Sequence, residues 1–494
     1  MNASIAPRIS LTFKTLVCLC QVLVSSHLRT CADPLTPTAT AAPQLVQPAG
    51  GDHNLEATTG PTLAENLDKI IHGSRQPVPW WRWSADLRIR DEYFNNIMTL
   101  DSTAPWHEQN YLRYRARWWN VITPVTNFDL NFRLAWEGRY FTEPRAKDNF
   151  TGMDWNVGLI DNLNIRWKNL AGLPLTLTVG RQDILNIGDG WLLVDGTPLD
   201  GSGTLYFDAA RLTLECTNIQ TTIDAVYIDQ GARNDRWLPP INRLEKYMME
   251  DDERAVVLYG SKKIAKALQT DAFAIYKHTD AVMATGMSGD LYTLGGLVSG
   301  APGDHWKYKM EGAWQTGHRR DAMFADRDVE AFGLNSRVTW LPGGSLQPQV
   351  RMSYEFLSGD NPNTPGDEMF DLLWGRWPSW SELYIYSYQK ETRVLQVNNL
   401  CRVGPGWTIT LAKKLDLISD YYLLFSDQDS PTRGTPALFT QTGNMRGQMI
   451  TGVLKYRHNE HISMHLWSEF IFPGDYYTHS DLLTFLRADI LFTW

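Results

Sequence analysis

Trp81-Arg82-Trp83-Ser84-Ala85-Asp86-Leu87-Arg88-Ile89-Arg90-Asp91-Glu92 is the stretch that decides the fold. Trp81, Trp83, Ala85, Leu87 and Ile89 are apolar or aromatic, while Arg82, Ser84, Asp86, Arg88, Arg90 and Glu92 are polar or charged. A period of two marks an extended strand with one apolar face. The pattern returns at once. Leu112, Tyr114, Ala116 and Trp118 alternate with Arg113, Arg115 and Arg117, and Phe128, Leu130, Phe132, Leu134 and Trp136 alternate with Asp129, Asn131, Arg133, Glu137 and Arg139. Further on, Leu163, Ile165 and Trp167 oppose Asn164, Arg166 and Lys168, and Ala210, Leu212 and Leu214 oppose Arg211, Thr213 and Glu215. Leu486, Ala488, Ile490, Phe492 and Trp494 oppose Arg487, Asp489 and Thr493 at the very end.

About 18 such segments, each of roughly ten residues, run from 81–92 and 110–122 through 391–402 and 407–425 to 484–494, the length a tilted strand needs to cross a bilayer. Long connections near 93–109, 141–154, 184–206, 230–252, 279–289, 317–327, 358–390, 426–445 and 472–483 alternate with short ones. The short ones lie near 123–126, 169–173, 217–219, 264–268, 300–304, 341–345, 403–406 and 458–460. This spacing predicts an all-β, membrane-spanning antiparallel barrel of 18 strands with short periplasmic turns and long extracellular loops.

Composition narrows the alternatives. The 494 residues include 20 Trp, 20 Tyr and 18 Phe and carry a formal charge of −9, so no basic excess points to nucleic acid. The mean hydropathy of −0.31 is that of a water-soluble chain, and past residue 30 no apolar run of about 18 residues could span as a helix. A barrel reconciles these values, because averaging hides an aromatic outside and a charged inside. A soluble sandwich or β-helix also alternates, but here the polar phase is charged on strand after strand and Trp and Tyr gather at strand ends.

Residues 1–32, with Arg8, Lys14, the apolar stretch from Leu16 to Val24 and small residues at Ser25, Ser26 and Ala32, read as a signal peptide. Residues 33–79 are a Pro- and Thr-rich flexible periplasmic linker with a short helix over 62–71, and 80–494 form the barrel. Three of the five cysteines fall in the signal segment, leaving Cys216 and Cys401, too few for a disulfide framework or a zinc cluster. No metal and no cofactor are expected. Glu245, Glu250, Asp251, Asp252 and Glu253, like Asp427 and Asp429, lack Ca²⁺-loop spacing and read as solvated loop acids.

The inward phase would place Arg88, Arg90, Arg113, Arg115, Arg117, Arg133, Arg139, Arg166, Lys168, Arg211, Arg351 and Arg487 along a lumen. Guanidinium groups are permanently charged forks that match carboxylates, so an anionic solute would be drawn in. The plainer reading pairs them with Asp86, Glu92, Asp129, Glu137 and Glu215 on neighbouring strands, as ordinary cross-strand chemistry. Arg113, Arg115 and Arg117 stand out, three cations on one face with no interleaved acid.

Leu177-Thr178-Val179-Gly180-Arg181-Gln182, the loop residues Gly188-Asp189-Gly190-Trp191 and the strand entry Phe207-Asp208-Ala209-Ala210-Arg211-Leu212 resemble the alginate export family of outer-membrane porins. Tyr354-Glu355-Phe356-Leu357-Ser358-Gly359-Asp360 and Phe370-Asp371-Leu372-Leu373-Trp374-Gly375-Arg376-Trp377 are similar to a late loop of that family. The resemblance implies an 18-stranded barrel in the cell outer membrane and an arginine-rich constriction that passes an acidic polysaccharide outward, with Arg181 as a site residue. The 184–206 loop is more apolar than a gate for sugars would suggest.

The function expected is thus passive conduction of an alginate-like polyuronate or other anionic sugars, without catalysis. The partners are that polymer, outer-membrane lipid and periplasmic secretion proteins, with no nucleic acid. An outer-membrane barrel enzyme acting on lipid or polysaccharide is the second reading; His318, His458, His461, His465 and His479 are available, but none sits beside a nucleophile motif. A structural or adhesive barrel is the third.

Overall fold

The computed structural model describes residues 73–494 except 146–147, 156, 186, 194–205, 234–236, 243–248, 284–285, 322–325, 376–379, 385–390, 392–396 and 430–435. The expected signal peptide, the helix over 62–71, Glu245 and most of the linker lie outside the described residues. The strands are β1 (Trp81–Asn95), β2 (Glu108–Val125), β3 (Phe128–Phe141), β4 (Gly152–Asp154), β5 (Gly158–Trp167), β6 (Leu175–Gln182), β7 (Phe207–Cys216), β8 (Thr221–Gln230), β9 (Asp251–Ala265) and β10 (Leu268–Ala281). They continue with β11 (Met287–Gly300), β12 (Trp306–Asp321), β13 (Arg327–Trp340), β14 (Gln349–Leu357), β15 (Leu400–Ala412), β16 (Leu415–Phe425), β17 (Met445–Arg457), β18 (Ile462–Pro473) and β19 (Leu483–Thr493).

Every neighbouring pair is antiparallel, and β19 returns to β1 through Leu87 opposite Phe492 and Ile89 opposite Ile490. The seam closes where Trp494 N–H donates to the Ala85 carbonyl at 2.9 Å and Ala85 N–H to the Trp494 carbonyl at 3.2 Å. The three-residue β4 and the longer β5 both pair with β3 and form one stave, so the wall has 18. A closed sheet has no free edge, which is what a hydrocarbon surround demands of a β structure.

The two-residue period assigns the faces. Trp118, Leu294, Met310, Trp314, Phe332, Met352 and Leu466 are exposed on the outside, while Asp86, Arg88, Arg90, Arg113, Arg115, Asp129, Arg133 and Glu137 are buried on the inside. Rings gather at the short-turn end, where Trp306 stacks near Trp340 at 6.4 Å and Phe128 meets Trp167 edge-on at the same separation. This is the girdle of a membrane barrel.

Two expectations are corrected. The connections expected to be long near 279–289 and 317–327 shrink to 282–286 and 322–326, because β10 to β13 run on for 14 to 16 residues. The turn expected at 403–406 lies inside β15, and the chain reverses instead at Lys413 and Lys414. Gly404-Pro405-Gly406 reads as a turn, but the glycines answer a different need. A Cβ at Gly404 would overlap the Tyr421 carbonyl, and one at Gly406 would overlap the Asp420 carboxylate. Pro405 turns its ring outward, where it is exposed.

Candidate functional site

Register builds the charged wall row by row. One inward row reads Asp489, Arg90, Arg113 and Arg139 across β19, β1, β2 and β3; the next reads Arg88, Arg115 and Glu137. Arg90 therefore faces Arg113, Arg113 faces Arg139 and Arg88 faces Arg115, directly across the ladder. Like charges in that position repel and destabilise the sheet by a few tenths to about 1 kcal/mol each.

Acids on adjoining strands hold the block. Glu92 is fully buried, with oxygens 2.9 Å from Arg113, 2.6 Å from Arg487 and 3.7 Å from Arg90. Arg90 Nε donates to Asp489 at 2.5 Å, and Asp86 takes Arg117 at 2.5 Å and Arg115 at 3.4 Å. The Arg113-Arg115-Arg117 run is thus not without acids, since β1 supplies them. Arg133 is shared by Asp161 at 2.5 Å and Asp183 at 2.7 Å, and Asp161 occupies a bulge in the β3–β5 ladder that turns it inward. Arg117 stacks on Trp119 at 4.6 Å and Arg139 on Tyr111 at 5.5 Å. Arg88 is 3.8 Å from Glu137. Nε and Nη1 of Arg115 and Nε of Arg139 are buried with no hydrogen-bond partner.

The remaining sequence candidates lie elsewhere. Arg166 and Arg211 share an inward row with Asp129 and Thr178 nearer the short turns. There Lys168 meets Asp129 at 2.7 Å, and Arg211 meets Asp224 at 2.8 Å and donates to the Leu185 carbonyl at 2.7 Å. Arg351 is paired with Asp420 at 2.7 Å. Arg181 is placed on the other face: it stands opposite Leu163 and two residues from Val179, both outward-facing. It is covered there by Tyr206 and Trp237, with ring centroids 3.8 and 5.2 Å away, and holds Asp208 at 2.9 Å. The structure does not bring Arg181 together with the block.

The described parts of two long loops, 183–206 and 358–399, fold into the barrel. Trp191 stacks on Phe370 at 5.6 Å, and the Leu192 carbonyl accepts from Trp374 N–H at 3.0 Å and Gly375 N–H at 2.9 Å. Their apolar residues bury in one cluster with the wall residues Val257, Ile275, Ala313 and Ala331. Ile184, Ile187, Trp191, Leu192 and Leu193, which make the start of the 184–206 stretch apolar, dock in this cluster rather than meet a solute.

Polar pins fix the second loop across the lumen. Gln315 exchanges hydrogen bonds with the Asp371 backbone at 2.8 and 2.7 Å, Arg319 holds Asp367 at 2.9 Å, and Arg446 holds Glu391 at 2.7 Å. Glu469 accepts from Ser381 Oγ at 2.7 Å and Glu382 N–H at 2.9 Å, while Glu382 reaches Arg487 at 3.0 Å. Glu253 takes Lys277 at 3.0 Å and Trp374 Nε1 at 2.9 Å, so it is a buried anchor and not the solvated acid expected, and buried Asp251 accepts from Met287 N–H at 2.7 Å. On β14, Glu355 accepts from Trp191 Nε1 and Trp380 Nε1, both at 2.9 Å, and from Arg402 Nε at 3.1 Å, joining both loops to the wall. Burial pushes the carboxyl of Asp360, in the loop, above its usual range although Arg327 donates to it at 2.9 and 3.1 Å.

Sequence reading missed Lys277, Arg319, Arg402 and Arg446. Arg402 was hidden by the misplaced turn; Lys277 is a single cation in the inward run Phe273, Ile275, Lys277. Of the histidines, His465 lies 3.4 Å from Asp489 and His318 3.4 Å from Asp290.

The family described as alginate export matches this chain over residues 80–483. No curated protein matches its sequence. Among solved structures, OccAB2 of Acinetobacter baumannii is 11% identical with a TM-score of 0.52, covering 83% of this chain and 98% of its own. OccAB3 of the same organism is 12% identical with a TM-score of 0.50, covering 83% and 99%. At such identity the likeness concerns the fold alone.

Proposed function

This chain belongs to the alginate export family, and from that premise we propose that its outer-membrane barrel is a passive channel for an acidic polysaccharide, an alginate-like polyuronate, or for smaller anionic sugars. One observation carries the reading: Arg88, Arg90, Arg113, Arg115 and Arg139 stand side by side, cation opposite cation, on the inner wall. Glu92, Asp86, Glu137 and Asp489 hold the block, yet Arg90–Arg113, Arg113–Arg139 and Arg88–Arg115 still face one another directly, a pairing that weakens a ladder. Guanidinium groups crowded in this way suit a passing carboxylate, which can take two parallel N–H bonds from one fork. Arg117 and Arg133 extend the block toward the short turns, followed by Arg166 and Arg211.

On this reading the docked segments hold the channel closed. Passage then requires the segment bearing Glu382 to leave the wall bearing Arg487, with which Glu382 is paired. Transport then needs no chemical step, only a gradient, a lifted loop and a row of exchangeable ion pairs.

The test is block of single channels in planar bilayers by polyuronate added on either side. The proposal expects concentration-dependent block that weakens in Arg88→Gln/Arg115→Gln, with neutral dextran of equal length inert. Equal block by dextran and polyuronate would refute it.

A further inference from the structure

A pocket of about 220 Å³ lies between the loop residues 187–193 and the inner faces of β9, β10 and β12. Ile187, Leu192, Leu193, Phe273 and Ile275 make much of its wall apolar, and Glu311 and Asp189 are its two carboxylates. The loop passes close to Glu311 because Gly188 and Gly190 both take left-handed backbone, at φ of 66° and 74°. A Cβ on Gly188 would stand 3.7 Å from Glu311 Oε1 and 3.5 Å from Tyr259 Oη.

Charge in this pocket is not balanced. Glu311 is only 4% exposed, and its Oε2 is buried without a hydrogen-bond partner. Lys309, two residues away on the same strand, is committed to Asp189. Asp271, which like Glu311 stands opposite Leu297, adds a third carboxylate. It is already served by Tyr259 Oη at 2.7 Å, Ser261 Oγ at 2.6 Å and Gln269 Nε2 at 3.1 Å. Arg337, across the ladder from Lys309, is exposed to the lumen. A buried carboxylate without a partner is strongly unfavourable, so Glu311 requires a counter-charge that its neighbours do not supply.

We propose that this pocket binds one divalent cation, calcium by the character of its oxygens, and that the ion clips the loop to the barrel wall. Glu311 supplies one charged ligand from β12 and Asp189 the other from the loop. Tyr259 Oη donates its proton to Asp271, which leaves its lone pairs available to the ion. Calcium takes six to eight oxygens in irregular shells that include water, whereas magnesium demands near-octahedral geometry. The pocket has room for an ion and a few waters at about 30 Å³ each. Among the described residues no three His, Cys, Asp or Glu side chains converge as a metal cage, so the set is two carboxylates completed by neutral oxygens. Such a set points to a weak site, with a Kd of about 10⁻⁴ M. Asp189 and Glu311 are far apart in the chain, and no ligand spacing announces them. The site itself is independent of the channel reading; its consequence for gating, that calcium favours the docked and closed loop, rests on that reading.

Terbium(III) luminescence of the barrel refolded into detergent tests the site, because Trp191 and Tyr259 line the same pocket and sensitise a lanthanide bound there. Wild type shows saturable emission that calcium displaces well before magnesium does. Glu311→Gln and Asp189→Asn each weaken terbium binding about tenfold or more, as loss of a charged oxygen ligand does. Lys309→Gln, which frees Asp189, does not weaken it, and neither does Asp304→Asn, which removes an exposed surface acid. Heat-modifiable migration in gels confirms that each variant is folded. Emission that Glu311→Gln leaves unchanged overturns the site. So does the absence of calcium-displaced emission at neutral and mildly alkaline pH, since a proton then neutralises Glu311. In planar bilayers calcium lengthens the closed times of wild type and not those of Glu311→Gln; equal closed times with and without calcium overturn the clip. Glu311-dependent terbium binding in a barrel that conducts no ions removes the channel reading and keeps the site, whereas a conducting barrel without such binding does the reverse.

Discussion

Glu92→Gln removes one negative charge from the centre of the arginine block and almost no volume. Glu92 is wholly buried and neutralises Arg113 at 2.9 Å, Arg487 at 2.6 Å and Arg90 at 3.7 Å. Breaking a buried ion pair by removing one partner costs about 3–5 kcal/mol, because the charge left behind has lost both water and counter-ion. The amide keeps an acceptor oxygen, so the lower end applies, about 3 kcal/mol, which at about 1.4 kcal/mol per decade is roughly a hundredfold in the folding equilibrium. Asp280→Asn is the control, since its pair with Arg254 spans 3.3 Å but both side chains are about half exposed, and such pairs are worth about 1 kcal/mol or less. Urea titration of folding into lipid vesicles, followed by tryptophan fluorescence, gives both midpoints and slopes. A shift for Glu92→Gln no larger than that for Asp280→Asn would refute the view that Glu92 holds mutually repelling cations together. A double-mutant cycle with Arg113→Gln sharpens the test: removing the stranded cation should recover about 1 kcal/mol or more of the loss.

Arg115→Gln should lower anion selectivity, read from reversal potentials, at little cost in urea stability, because it removes a cation that faces Arg88. Arg181→Gln should leave selectivity unchanged, since Arg181 lies under Tyr206 and Trp237 on the outer face; a selectivity loss equal to that of Arg115→Gln would contradict that placement. Gly375→Val should undock the two loops, because a Cβ there overlaps the Trp191 carbonyl, and should raise single-channel conductance or its open-channel noise; an unchanged conductance histogram would count against the docked loops as the barrier.

Period two was enough to find nearly every stave, because a barrel enforces it on each strand and lipid punishes any lapse. Gly404-Pro405-Gly406 defeated it, since turn-like residues there serve the close approach of β16 and the Arg351–Asp420 pair, a tertiary need with no local signature. Lumen phase puts Arg88, Arg90, Arg113, Arg115, Arg117, Arg133 and Arg139 on one face, yet the same sequence could not show that Arg90 faces Arg113, because register is a property of two strands. Arg181 shows the converse. Its motif drew it toward the site, but its place in the β5–β6 ladder puts it opposite Leu163. Glu253 and Glu355 look like ordinary strand acids until Trp374, Trp191 and Trp380 arrive from distant loops, and nothing local announces those contacts.

The proposed channel selects anions at its inner wall although the chain is acidic overall. The reversal potential of the purified barrel in a tenfold potassium chloride gradient, for wild type and for Arg88→Gln/Arg115→Gln, tests it most directly. Wild type should show a potential of chloride-selective sign that collapses toward zero or inverts in the variant. A cation-selective wild type, or a variant indistinguishable from wild type, would contradict an anion-selecting arginine wall.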